Sequence, residues 1–184
     1  MYAMDGAKII LALIAGLAFA ASPLTCKAEI GVTTAAQFEA QYGKPYLADN
    51  SQVDARMYLH GNSFVAALYD ETGTVQAVAY YKMGTDGFSA KEAQDHDWEN
   101  LPGGTYNWIS VPTDKMYNPY SIQNVKMWEA TTANAMLFVI GGRMIYDGMP
   151  ITMRAYATAQ GCLMLGKLPE NWGDAFANAP KQKL

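Results

Sequence analysis

Residues 55–83 read ARMYLHGNSFVAALYDETGTVQAVAYYKM, and this stretch predicts the core of the fold. Apolar and polar side chains alternate over 55–60, which is the pattern of a half-buried strand. Gly61-Asn62 tolerates the positive φ of a tight hairpin, so we expect Ser63 to Asp70 to return as a second, largely apolar strand. After another turn, Val75 to Met83 forms a third strand. The sequence therefore predicts three consecutive antiparallel strands.

The third strand has two distinct faces in the sequence pattern. Because neighbouring side chains in a strand point to opposite faces, alternate positions share an environment. The predicted apolar face carries Val75, Ala77, Ala79, Tyr81 and Met83. The predicted polar face carries Gln76, Tyr80 and Lys82.

Two helices are predicted on either side of these strands. Thr33 or Thr34 can cap a helix from about Ala35 to Tyr42, because a hydroxyl oxygen accepts a hydrogen bond from a first-turn amide. Ser89, with Glu92 three residues later, forms the capping-box pattern of a helix that runs through Glu99. The order of this half is helix, three strands, helix.

The second half of the chain has weaker patterns. Residues 124–131 and 135–146 are predicted as strands, the second of them broken at Gly141-Gly142. For 151–160, between Pro150 and Gly161, a helix is slightly favoured over a strand. The fold class is α+β: an antiparallel sheet with helices packed on one face, in the order helix, three strands, helix, followed by further strands. We expect residues 29–184 to form one domain, with 102–184 packed on 29–101.

The amino-terminal segment resembles a secretory signal peptide. Lys8 precedes an apolar run from Ile9 to Ala21, which is shorter than the roughly twenty residues of a membrane-spanning helix. Cleavage after Ala28 is favoured, with cleavage after Ala20 as the alternative. Residues 1–28 are therefore predicted as a signal peptide, and no integral membrane span is expected once it is removed.

Export also raises the question of lipid attachment at Cys26. Pro23 and Thr25 stand where the usual lipoprotein signal has Leu and a small residue, so anchoring at Cys26 is the less favoured alternative. We expect a periplasmic or extracellular protein that is a monomer or a weak oligomer. If cleavage follows Ala28, only Cys162 remains, and no internal disulfide can form.

Composition and charge exclude several classes of protein. Apolar residues make up 51% of the chain and charged residues 16%, with a mean hydropathy of -0.07. This is the composition of a globular protein and not of a disordered or polytopic membrane protein. A net charge of -4 leaves no basic surplus to bind phosphates, so we do not expect nucleic-acid binding.

The first half also resembles two known families. The resemblance rests on a helix that ends in Tyr42-Gly43-Lys44-Pro45, followed by strands at Arg56 to Tyr58, Phe64 to Tyr69 and Gly73 to Tyr80. It is similar to the SmpA/OmlA-type outer-membrane assembly lipoproteins and to the helix-on-sheet domains of the β-lactamase inhibitory proteins. The resemblance implies binding to another protein without catalysis, and it identifies no individual binding residue.

Catalytic candidates are few. The chain has two histidines, His60 and His96, and it lacks the Gly-x-Ser-x-Gly motif of many hydrolases. The acidic helix around His96 carries Glu92, Asp95, Asp97 and Glu99, for which a solvated face is the favoured interpretation. The sequence assigns no catalytic residue, no metal ligand and no cofactor, and it favours a non-catalytic protein.

The predicted binding surface is the polar face of the sheet, where five side chains should project together: Arg56, Tyr58, His60, Tyr80 and Lys82. Tyr and Arg are enriched at protein interfaces. Internal packing beneath the rest of the chain is the alternative for the same residues. The predicted function is that of an exported, non-catalytic module that binds an envelope or extracellular protein. A small envelope hydrolase or sugar-binding enzyme that uses the acidic helix near His96 is the alternative.

Overall fold

The computed structural model describes residues 27–50, 52–60, 63–113, 123–131, 135–146 and 148–168. Its helices are α1 (Ala35–Tyr42), α2 (Ala90–Asn100) and α3 (Ala159–Leu165). Its strands are β1 (Leu47–Asp49), β2 (Asp54–His60), β3 (Ser63–Tyr69), β4 (Val75–Met83), β5 (Ile109–Val111), β6 (Gln123–Thr131), β7 (Met136–Tyr146) and β8 (Met149–Thr158). Residues 1–26, which include Cys26 and all of the predicted leader except Lys27 and Ala28, and the Gly61-Asn62 hairpin tip lie outside these ranges.

The strands form one antiparallel sheet in the order β1-β2-β3-β4-β8-β7-β6-β5. Each half of the chain contributes four consecutive strands. The halves join where β8 pairs with β4, from Ala77–Ala157 to Met83–Ile151. The fold is therefore α+β with an antiparallel sheet, as predicted. No helix in the described part of the chain is long and apolar enough to cross a membrane.

The predicted helices α1 and α2 are confirmed together with their caps. The Thr34 backbone N–H donates to the side-chain carbonyl oxygen of Gln37 at 2.9 Å, and the Thr34 hydroxyl accepts a hydrogen bond from the Gln37 backbone N–H. Ser89 and Glu92 form the same reciprocal pair at the start of α2. Both capping boxes involve residues three apart, so these two helix starts depend on local sequence.

The helices α1 and α2 pack on the same face of the sheet, whereas α3 packs on the opposite face, so the prediction of helices on one face holds for α1 and α2 only. Phe38 and Tyr42 of α1 are buried in a cluster with Tyr58 and Tyr80. Met164 of α3 is buried in a separate cluster on the opposite face. We call these the tyrosine face and the methionine–alanine face. The sheet is apolar on both sides, and in the described part of the chain α1 and α2 pack on the tyrosine face and α3 packs on the methionine–alanine face.

A β-bulge corrects one position in the predicted strand pattern. Val75 pairs with Tyr69, whereas Ala77 pairs with Leu68, so Gln76 is an extra residue on β4. The bulge reverses the alternation at this point, and Val75 joins the tyrosine face instead of the side occupied by Ala77.

Residues 151–160, for which the sequence slightly favours a helix, are mainly a strand in the structure. Residues through Thr158 belong to β8, and α3 begins only at Ala159. Alternate positions of β8 are buried on the methionine–alanine face: Ile151, Met153, Ala155 and Ala157. A strand between two partners forms backbone hydrogen bonds on both edges, and this tertiary context overrides a weak local preference. β7 likewise continues through Gly141-Gly142, where the sequence suggested a break.

Candidate functional site

The strand register places the five predicted binding residues on the same face of the sheet. Arg56, Tyr58 and His60 alternate along β2, and Tyr58 is linked through Val65 to Tyr80 on β4. His60 is linked in the same way through Ser63 to Lys82.

The two tyrosines of this group lie beneath the helices. Tyr58 is 0% exposed and Tyr80 is 1% exposed. The Tyr58 hydroxyl is 2.7 Å from that of Tyr69, and the Tyr80 hydroxyl is 2.8 Å from that of Tyr42 on α1. These phenols therefore contact the protein interior, whereas Arg56, His60 and Lys82 remain partly or largely accessible.

Basic side chains on the tyrosine face pair with helix carboxylates. Three such sheet–helix ion pairs are Arg56–Glu39 at 2.8 Å, Lys82–Glu92 at 2.7 Å and Arg154–Asp97 at 2.6 Å. Arg56 also forms a two-point contact with Asp54 and lies over the Tyr69 ring. The ion pairs connect α1 and α2 to three different strands, and they engage most of the predicted polar face internally.

This arrangement corrects the interpretation of α2 as a solvated acidic helix. Glu92 and Asp97 bind cations on the sheet, and Glu99 lies beside Tyr42 and Tyr80. The solvent-exposed acid is Asp95, which pairs with Lys91 one turn earlier on α2. The carboxylates mainly attach the helix to the sheet.

A polar cluster lies at the centre of the tyrosine face, formed by Tyr42, Tyr80, His96, Glu99 and Asn100. The His96 ring stacks on Tyr80 with a centroid distance of 3.7 Å. Asn100, which is fully buried, donates to the Tyr80 hydroxyl at 2.8 Å. His96 lowers the pKa of Glu99, and the two phenol hydroxyls add to this effect against the opposing influence of burial. Glu99 is therefore ionised at neutral pH.

Burial suppresses the reactivity of the potential nucleophiles in this region and on the other face. Desolvation raises the pKa of Tyr80 well above its ordinary value of 10.0, so the phenol stays protonated. Burial raises the pKa of the Cys162 thiol on α3 to about 12. Because the thiolate is the reactive form of cysteine, this thiol is unreactive at neutral pH.

Across the described ranges, no group of three His, Cys, Asp or Glu residues is arranged to hold a metal ion.

One accessible part of the tyrosine face is a row of polar side chains at one end of the sheet. The register aligns one residue from each of five adjacent strands: His60, Ser63, Lys82, Thr152 and Arg143. His60 and Arg143 are exposed, and the other three are half-buried. We call this row the polar strip. It spans about 19 Å at the usual strand spacing of roughly 4.8 Å.

Of the polar strip, the sequence predicts only His60 and Lys82 as binding residues. The sequence pattern identifies Ser63 only as the start of a strand. Thr152 lies in the segment 151–160, whose pattern slightly favours a helix, and no local pattern specifies the partners of the strand that carries Arg143. A correct assignment of 151–158 as a strand would have supplied the alternation of Thr152, but not its pairing with Lys82.

No protein-family model matches this chain, and no curated protein matches it. A solved structure to which it is similar is the crystal structure of a DUF4309 family protein, YjgB, from Bacillus subtilis. The comparison covers 70% of this chain and 80% of that chain, with 13% identity and a TM-score of 0.35. A likeness at this level carries no argument about function, and the resemblance to assembly lipoproteins and β-lactamase inhibitory proteins stays a prediction.

Proposed function

We propose that this protein is an exported, non-catalytic module that binds a protein of the bacterial envelope or the extracellular space through the polar strip. The observation that carries the proposal is the pairing register of strands β2, β3, β4, β8 and β7. It aligns an imidazole, two hydroxyls, an ammonium group and a guanidinium group on five hydrogen-bonded strands. A surface built on a rigid sheet loses little conformational entropy when it binds a partner.

The charges of the polar strip favour a partner segment rich in hydrogen-bond acceptors. Lys82 is neutralised by Glu92 at 2.7 Å, whereas Arg143 is exposed. A guanidinium group can donate to carboxylates or backbone carbonyls in two-point geometry, and arginine is enriched in interfaces for this reason. We therefore expect Arg143 and His60, at the two ends of the strip, to contribute most to binding.

Of the five binding residues predicted from the sequence, only His60 and Lys82 belong to the polar strip. Arg56, His60 and Lys82 are accessible in part, and Tyr58 and Tyr80 support them from below. Substitution of either tyrosine would disturb the core, so these residues are poor probes of binding. Arg143 is exposed and lies outside the tyrosine-face cluster, so it is the better probe, whereas the His60 ring makes an edge contact with Tyr42 at 5.1 Å between ring centres.

Photo-crosslinking tests the proposed surface. A photoreactive amino acid is placed at position 60, 143 or 91 in cells that express the protein with its own leader. We expect a discrete adduct of constant mass from positions 60 and 143 and none from position 91, because Lys91 lies on the outer side of α2. The cross-linked protein is identified by mass spectrometry and purified.

Binding of that purified partner is then measured for two matched variants. Arg143→Ala should weaken binding by about 1 kcal/mol or more, as the loss of an arginine that anchors an interface does. Lys91→Ala removes the same charge elsewhere and should leave the affinity unchanged. Equal adducts at all three positions, or equal losses in both variants, would reject the polar strip as the binding surface.

The hydrolase near His96 is the second candidate, because one observation favours it. Nδ1 of His96 is buried, lacks a hydrogen-bond partner within the described part of the chain and lies 3.7 Å from Glu99. A histidine beside a carboxylate is a common general-base arrangement. However, Glu99 also accepts from Tyr42 and Tyr80, and the His96 ring is stacked on Tyr80, which supports a structural role.

A further inference from the structure

The residues that precede α1 form a strap over one end of the tyrosine face. This strap, residues 27–34, is attached to α2 by a hydrogen bond from the Ile30 amide to the Asn100 carbonyl at 3.0 Å. It is attached to β4 by a bond from the Gly31 amide to the Val75 carbonyl at 2.6 Å. The strap therefore connects two elements that are far from it in sequence.

Two residues of the strap, Ala28 and Ile30, belong to the folded core. Ala28 is 0% exposed and Ile30 is 1% exposed, and both pack in the tyrosine-face cluster. The Lys27 carbonyl accepts a hydrogen bond from the Thr33 hydroxyl at 2.9 Å, which closes the strap on itself. The Lys27 ammonium also lies 5.0 Å from the centre of the Trp98 ring on α2, within the range of a cation–π contact.

Cleavage after Ala28 would remove the contacts of Lys27 and Ala28 from the mature protein. It would delete a buried side chain and the Lys27 carbonyl, and it would leave a charged ammonium group at Glu29. That group would lie next to the buried Ile30, and a charge close to an apolar interior is costly. A cut after Ala20 avoids all of these losses, because the whole strap then stays in the mature chain.

We infer that signal peptidase cuts after Ala20, within Ala18-Phe19-Ala20, and that the mature domain keeps Lys27 and Ala28. This inference rests on the proposed export of the protein. It reverses the preference for Ala28 that sequence alone suggested. It also means that the mature chain contains two cysteines, Cys26 and Cys162.

Intact-mass spectrometry of protein expressed in a bacterium with its native leader tests the cleavage site. We expect a soluble, exported species that begins at Ala21 and contains two titratable thiols after denaturation. A species that begins at Glu29 has one thiol and would overturn the inference. An acylated species that begins at Cys26 would also overturn the Ala20 site, although it would retain the strap.

A variant of the leader provides a second test of the cleavage site. Ala20→Phe places a bulky residue next to the proposed cut and should block processing, whereas the unused site at Ala28 stays intact. Normal processing of Ala20→Phe would reject the inference. A wild-type protein that keeps its leader and stays in the cytoplasm would instead reject the proposed export, so the two failures are distinguishable.

The structural basis of the inference is tested on purified protein. Chains that begin at residue 21 and at residue 29 are compared by thermal unfolding. The shorter chain should have a Tm lower by at least about 3 °C, which corresponds to roughly 1 kcal/mol for a domain of this size. Identical Tm values would show that Lys27 and Ala28 are dispensable, and would remove the reason for excluding the cut after Ala28.

Discussion

The guanidinium group of Arg154 lies 2.6 Å from the carboxylate of Asp97, and this ion pair joins β8 to α2 across 57 residues of sequence. The same carboxylate oxygen accepts a hydrogen bond from the Tyr156 hydroxyl at 2.6 Å. Tyr156 is fully buried, so Asp97 satisfies a polar group in the core as well as a cation. One partly exposed carboxylate therefore attaches the acidic helix to the second half of the sheet.

Asp97→Ala should lower the free energy of unfolding by about 1–3 kcal/mol, because it leaves the Tyr156 hydroxyl and Arg154 without this acceptor. Asp95→Ala, on the same helix, removes only the exposed pair with Lys91 and should cost about 0.3–0.5 kcal/mol. Urea denaturation of both variants measures the difference. Equal losses would contradict the structural role of Asp97.

Gly161→Ala should strongly destabilise the protein, although alanine is the better helix former. A Cβ at this position would overlap the Gln76 carbonyl oxygen in the β4 bulge, and the backbone there cannot easily move away. Overpacking of this kind costs about 1–3 kcal/mol or more. Gly166→Ala is the matched control, since its Cβ would meet only the Leu163 carbonyl oxygen at 3.6 Å. Thermal unfolding that affects both variants equally would disprove the close approach of α3 to β4.

The Lys82–Glu92 pair should make stability depend on pH in the acid range. The hydrogen bond from Lys82, with those from Ser89, lowers the pKa of Glu92 from 4.5 to about 2. A carboxyl whose pKa is lower in the folded state stabilises the protein above its ordinary pKa, and this stabilisation is lost as the pH falls toward the folded value. The free energy of unfolding should therefore decrease between pH 4.5 and about 2.

Two variants identify the source of this pH dependence. Glu92→Gln removes the titrating group, and Lys82→Met removes its main partner. Both should be less stable than the wild type at neutral pH and should show a shallower decrease over the same acid range. A slope identical to that of the wild type in both variants would show that other carboxyls account for the acid sensitivity.

Buried phenols should make the protein sensitive to alkali. Burial raises the pKa values of Tyr42, Tyr80 and Tyr156 above 10.0. A raised folded-state pKa contributes stability that is present below the unfolded value and is lost as the pH rises above it. Phenolate absorbance from these residues should therefore appear together with the loss of secondary structure. Ionisation of all tyrosines near pH 10 in a protein that keeps its circular dichroism spectrum would refute their burial.

His96→Ala separates a structural histidine from a catalytic one. Loss of the stacking on Tyr80 and of the edge contact with Phe88 should lower the free energy of unfolding by about 1 kcal/mol. The hydrolase hypothesis instead expects a loss of turnover with an unchanged melting temperature. Unfolding curves and a screen of ester and glycoside substrates on the same preparations distinguish the two roles.

The parts of the fold that the sequence predicted well are those specified by near neighbours. The capping boxes at Thr34 and Ser89 each involve a residue three positions later. The strand at 54–60 shows alternation, that at 63–69 is an apolar run between turns, and that at 75–83 alternates after the bulge at Gln76. These interactions are local, so their signals are present in any short window of the sequence.

The sequence predicted less about the candidate site, because its contacts are remote in sequence. It placed His60 and Lys82 on one face, but their row is completed by Thr152 and Arg143 from strands whose pairing no local pattern specifies. The partners of Glu92 and Asp97 likewise lie on β4 and β8, so an acidic helix that packs on a sheet resembles a solvated one.

The sequence by itself determined an α+β chain with three central strands between two capped helices, because hydrogen-bonding side chains and alternation act over a few residues. Tertiary structure alone decided that β8 pairs with β4, that α3 covers the opposite face and that Tyr58 and Tyr80 are enclosed. Those outcomes depend on which surfaces of a folded chain meet. Backbone pairing and burial between residues that are far apart in sequence determine which surfaces meet.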